Sequence, residues 1–231
     1  MTRTGYEVAA LVVVAVLLAT TGQAQNRDVI TISPEATDPV PDDILLTIPV
    51  CPVLTTSAAP VIDGKLDDQA WQTAPRLGRM YLDTGDGPMK FDTIAKFTRD
   101  ETYIFLAVDA RHPKISDVPI SAGKRDQVSW HGETVELFLD TDPAGAGYVQ
   151  VIFDMSGAFT DTFAGHESFN GEIMAATDVG GTGWRLEARL KIADLAGDGK
   201  VDPYMWGANV ARNTRGQAGS WARLAGSFQQ P

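Results

Sequence analysis

Trp184 to Ile192 reads WRLEARLKI. Trp184, Leu186, Ala188, Leu190 and Ile192 fall on one side of an extended chain, and Arg185, Glu187, Arg189 and Lys191 on the other. A period of two is what a half-buried antiparallel strand requires, and it argues against a helix. The same texture recurs. Thr93 to Thr98 (TIAKFT) and Tyr103 to Asp109 (YIFLAVD) are joined by a hairpin-sized loop, Arg99-Asp100-Glu101-Thr102. Thr134 to Asp140 (TVELFLD) and Tyr148 to Asp154 (YVQVIFD) flank the turn TDPAGAG. Trp206 to Asn213 (WGANVARN) reads as another strand, and Ser220 to Leu224 as a last one. Helical periodicity is confined to a short turn ending at Trp71. Short strands separated by turns predict an all-β, antiparallel, jelly-roll-like β-sandwich with short helical turns.

The N-terminal segment MTRTGYEVAALVVVAVLLATTGQAQ places one arginine ahead of an apolar run from Val8 to Ala19, then Gly22-Gln23-Ala24. That is the pattern of an export signal over residues 1–24, cleaved after Ala24. The run is too short for a comfortable membrane span, and a retained anchor is the alternative. Residues 25–43 are rich in Pro, Asp and Thr and read as a linker or disordered leader. The domain then runs over 44–231, beginning with Ile44 to Leu54, whose prolines suit an edge strand. With 19 Lys plus Arg against 30 Asp plus Glu, the net charge is -11. An acidic chain without a basic patch repels phosphate backbones, which argues against nucleic acid as a partner. Cys51 is the only cysteine, so no intrachain disulfide forms, and it reads as a small buried hydrophobe. The expected location is secreted or periplasmic, with no membrane contact after cleavage.

Trp130 stands just ahead of TVELFLD. If TDPAGAG closes a simple hairpin, Glu136 faces Ile152, Phe138 faces Gln150 and Asp140 faces Tyr148. The non-core faces then form one patch of Glu136, Phe138, Asp140, Tyr148 and Gln150. A neutral sugar needs a flat ring for its C–H face and fixed polar groups for its hydroxyls, and this patch offers both. Each residue also has a plainer role. Trp130 can cap the core. Glu136 can be solvated or paired with Arg212. Arg212 can donate to a ligand or serve as a buried partner of Glu136 or Asp140. Asp140 and Asp142 offer hard oxygen ligands for calcium, although D-x-D also caps its own turn. His112, His131 and His166 lack zinc-ligand spacing. Catalytic signatures are missing, and Glu133 and Glu136 fall on opposite faces of a regular strand.

APVIDGKLDDQAW, YIFLAVDARHP, SWHGETVELFLDTD, GYVQVIFDMSGAF, GWRLEARLKIADL, MWGANVARN and SW occur in that order. From Ile44 to the C-terminus the chain resembles carbohydrate-binding module family 9, within the DOMON-like β-sandwiches. The resemblance implies a non-catalytic module that grips the end of a glucan or xylan chain between two aromatic side chains. It matches Trp130 to the first aromatic, Glu136 to a carboxylate accepting sugar hydroxyls and Phe228 to the second aromatic, and it allows a structural calcium ion. Two departures stand out. Ile152 occupies the position where sugar binders carry an arginine, and the closing strand expected after GSFQQP does not follow. Two other readings remain: a haem or redox module with axial ligands among Met80, Met89, Met155, Met174, His131 and His166, or an envelope interaction domain with no small ligand.

Overall fold

The computed structural model describes residues 15–19, 49–84, 87–120, 123–128, 132–142, 147–197, 199–214 and 216–222. Their strands are β1 (Ala15–Ala19), β2 (Cys51–Thr55), β3 (Tyr81–Leu82), β4 (Thr93–Arg99), β5 (Tyr103–Arg111) and β6 (Thr134–Asp140). They continue with β7 (Val149–Asp154), β8 (Phe159–Phe163), β9 (Ile173–Gly180), β10 (Gly183–Lys191), β11 (Met205–Thr214) and β12 (Gln217–Ser220). One short helix, α1 (Gln69–Thr73), carries Trp71.

Two antiparallel runs, β8-β7-β6-β11 and β4-β5-β10-β9, are linked through β1 and β2. They face each other as a β-sandwich. Alternation fixes what goes inside. Val135, Leu137 and Leu139 meet Val149, Val151, Phe153, Trp206 and Val210 from the first run, and Leu106, Val108, Trp184, Leu186 and Leu190 from the second, in one core. Trp206 is fully buried, and truncating so large a core side chain costs about 3–5 kcal/mol.

The outer face of the second run is covered separately. Trp71 and Ala74 pack on Phe105 and Ala107, with Ile62 and Leu66 beside them. Glu187, on the polar side of WRLEARLKI, is also buried there. Its carboxylate accepts from Trp71 Nε1 at 2.6 Å, and from the amides of Asp63 at 3.0 Å and Gly64 at 2.8 Å. Gly64 has φ of +86°, and a Cβ on it would lie 2.6 Å from the Thr177 carbonyl carbon. Only glycine fits that turn.

Several expectations need correction. β2 is no edge strand. It lies between β1 and β4 and is parallel to both. Pro52 is tolerated because the pairing to β4 begins only at Leu54, so the missing donor falls where β2 has one neighbour. The last described strand spans Gln217–Ser220, with Trp221 and Ala222 beyond its end, and the rest of the expected strand, 223–224, lies outside the described residues. The sequence does not announce β8 or β9: β8 puts an acid, Asp161, at a buried position, and β9 has no fully buried position. β9 in particular is largely exposed or half-buried along its length. β1 lies within the apolar run read as an export signal, and it pairs with Met205–Gly207 of β11 and Cys51–Leu54 of β2. Cys51 is buried as expected, and burial pushes its thiol up to about 11.

Candidate functional site

The hairpin register predicted from TDPAGAG is the one observed: Glu136 faces Ile152 and Phe138 faces Gln150. On the other side of β6, Glu136 faces Ala211 and Phe138 faces Asn209 of β11. The non-core faces of β7, β6 and β11 therefore form one surface. Phe138 and Tyr148 are tilted against each other there, with ring centroids 5.9 Å apart.

Glu136 is only 2 % exposed, although it is on the face away from the core. Its Oε2 accepts from Gln150 Nε2 at 2.8 Å, and its Oε1 accepts from Asn213 Nδ2 at 2.6 Å. A carboxylate can only accept, so both amides must turn their nitrogens toward it and their oxygens elsewhere. Among the described residues nothing donates to either amide oxygen. Burial raises the Glu136 pKa, and the two amide hydrogen bonds oppose the rise. The result is a buried acid that orients two outer acceptors.

Asn213 was not among the residues singled out from sequence. Its signal was present in WGANVARN, where Asn209, Ala211 and Asn213 alternate with Trp206, Ala208 and Val210. The former set shares the face of Glu136.

Arg212 alternates to the core side and is fully buried, so it is not a ligand-facing donor. Nor does it pair with Glu136 or Asp140. Its Nη2 donates to Glu133 at 3.0 Å, and its Nη1 donates to Thr93 Oγ1 at 2.9 Å. Glu133 also accepts from Trp184 Nε1 at 3.1 Å and from Thr214 Oγ1, with His112 Nε2 3.7 Å away. This cluster ties β10, β11 and the entrance of β6 together. The sequence could not distinguish the two acids as partners, because pairing depended on which face Arg212 took.

Asp140 is buried, and its Oδ1 accepts from the Asp142 amide at 3.0 Å. Asp142 Oδ2 accepts from the Lys200 amide at 3.4 Å. Both carboxylates are thus engaged with backbone in the way a turn-capping D-x-D would be. Among the described residues no group of three or more His, Cys, Asp or Glu is placed to hold a metal ion. Trp130 and Phe228, the two aromatic candidates, and His131 lie outside the described residues.

Residues 62–229 match the family model described as carbohydrate family 9 binding domain-like. The chain belongs to that family. Its fold is also shared with solved structures. A family 9 carbohydrate-binding module from Caldicellulosiruptor kristjanssonii, in complex with cellotriose, is 17 % identical with a TM-score of 0.51, covering 73 % of this chain and 83 % of that one. The module from the same organism in complex with glucose gives 17 % and 0.52, over 73 % and 84 %. A protein from Bacteroides uniformis ATCC 8492 gives 12 % and 0.59, over 78 % and 91 %. No curated protein matches the chain.

Proposed function

We propose that this protein is an exported, non-catalytic module that binds a neutral glucan- or xylan-type saccharide on the outer surface of β7, β6 and β11. The observation that supports this most is the Glu136 arrangement. One buried carboxylate holds the amides of Gln150 and Asn213 with their oxygens free for sugar hydroxyls, next to the rings of Phe138 and Tyr148. Preorganised acceptors reduce what ordering would otherwise cost on binding. In this reading Glu136 positions the two amides rather than touching the sugar. The family resemblance assigns the flat faces to Trp130 and Phe228, and Ile152 stands where an arginine would supply a charged donor. Sites of this kind bind in the millimolar to micromolar range, about −4 to −8 kcal/mol.

Calorimetry with glucose, cellotriose and xylo-oligosaccharides tests the reading. Binding that falls about tenfold or more in Trp130→Ala and in Asn213→Ala is the expected result. No heat with any of the three sugars, or unchanged affinity in both variants, overturns it. Export predicts a mature chain beginning at Gln25, without β1, in which β2 keeps β4 alone as its ladder neighbour; mass spectrometry of the secreted or periplasmic fraction checks it. Calcium at Asp140 and Asp142 is a separate proposal. It is favoured by Thr141 Oγ1, buried between them without a hydrogen-bond partner. A melting temperature that is the same in calcium and in chelator removes it.

A further inference from the structure

A cavity of about 300 Å³ opens away from the surface of β7, β6 and β11. It forms where residues 76–82 cross from one sheet to the other. At one end the Leu77 amide donates to Ala95 of β4 at 2.8 Å, and at the other Tyr81 and Leu82 pair with Ser220 and Gly219 of β12. Between these anchor points Gly78 and Arg79 have no ladder partner, and the Met80 carbonyl accepts from the Met89 amide at 3.0 Å. The amides of Gly78 and Arg79 donate to nothing among the described residues. Small-molecule sites usually occupy about 300–1,000 Å³, so the cavity is large enough for one sugar ring.

Its lining has a consistent chemistry. Arg76 and Arg79 both face it, both are exposed, and neither has an acidic partner among the described residues. In a chain of net charge -11, two neighbouring guanidinium groups left unpaired are unusual. A Cβ placed on Gly78 would be 3.5 Å from Trp221 Nε1. That indole is 4 % exposed, and among the described residues its N–H has no acceptor. It stands behind Gly78 rather than on the cavity lining itself. Met80, Met89 and Phe91 provide an apolar wall, and Asp92 is the single acid on the lining.

We propose that this cavity is a second ligand site that takes the carboxylate of a uronic-acid residue. A planar monoanion suits a pair of guanidinium forks. Asp92 leaves the lining with one net positive charge, which matches a carboxylate better than a doubly charged phosphate and offers an acceptor for ring hydroxyls. The apolar wall covers the C–H face of the ring. The anion part of the inference stands on the cavity alone. The saccharide part rests on the sugar-binding reading above.

The test is calorimetric titration of the full chain with D-glucuronate, D-glucose, cellotriose and acetate, repeated on the double variant Arg76→Gln/Arg79→Gln and on Trp130→Ala. The expected result is glucuronate binding that weakens about tenfold or more in the arginine variant, falls with added salt and persists in Trp130→Ala. Acetate should bind more weakly than glucuronate, and cellotriose should be indifferent to the arginine substitutions. Glucuronate binding that is lost in Trp130→Ala but intact in the arginine variant places the ligand on the other surface and overturns the inference. So does glucuronate that binds no better than glucose, or acetate that binds as tightly as glucuronate. Failure of cellotriose to bind while glucuronate binds would remove the neutral-sugar proposal and leave this one standing.

Discussion

Glu133 and Glu136 are three residues apart, and both are almost fully buried, 4 % and 2 % exposed. Yet they have opposite surroundings. Glu133 turns to the core side and meets a guanidinium, an indole N–H and a hydroxyl. Glu136 turns outward and meets two neutral amides. The first arrangement is a paired charge that locks three strands. The second leaves a negative charge without a cation, which burial penalises, and gains an oriented pair of acceptors. Burial by itself therefore does not separate a structural acid from one that serves a binding surface. The partners do.

The largest expected effect comes from breaking the first cluster. Arg212→Met leaves the Glu133 carboxylate buried and unpaired, and should cost about 3–5 kcal/mol in urea unfolding. Replacing both partners together by leucine should recover much of that loss, because no uncompensated charge remains. Glu187 tests the middle of the range. Trp71→Phe removes its 2.6 Å indole donor and should cost about 1–3 kcal/mol, read as a shift of the urea midpoint.

Glu136→Gln sharpens the contrast. A glutamine side chain presents an NH₂ group to one of the two amides, which must flip its oxygen inward. Saccharide affinity should fall while stability changes by only about 1 kcal/mol. The pH dependence has a definite sign. Burial raises the Glu136 pKa above its unfolded value. The folded state then holds the proton more tightly, so the group's contribution is fully present below the unfolded pKa, near 4.3, and is lost as pH rises through the folded value. The melting temperature of the wild type relative to Glu136→Gln should therefore drop as pH is raised across that window. A difference that stays flat would show that the hydrogen bonds from Gln150 and Asn213 offset the burial. At the far end stands Glu172, an exposed acid bridging Tyr103 and Lys191. Glu172→Gln should leave the melting temperature unchanged, since solvent screens such contacts.

Much of the sandwich was legible in advance, for one physical reason. A buried sheet face forces apolar residues to every second position, so WRLEARLKI and TVELFLD declared their strands and their inner faces. The hairpin between β6 and β7 followed from turn length, and with it the neighbours of Glu136. β9 escaped notice because none of its positions is fully buried, so nothing forces Ile173–Gly180 to alternate. Pro52 misled in the other direction. Proline forbids a donor only where a neighbour needs one, and β2 acquires its β4 partner two residues later.

The candidate site divides along the same line. Sequence sufficed to put Glu136, Phe138 and Gln150 on one surface, because alternation and a hairpin are local rules. Which partners Glu133, Glu136 and Arg212 would take was settled only when β11 came to lie beside β6, in a register that puts Ala211 opposite Glu136 and turns Arg212 inward. The cavity under residues 76–82 belongs to the same category. Arg76, Arg79 and Met80 of the crossing segment meet Met89, Phe91 and Asp92 there only because that segment spans both sheets. Local periodicity is encoded residue by residue. The pairing of charges across strands distant in sequence is decided by packing.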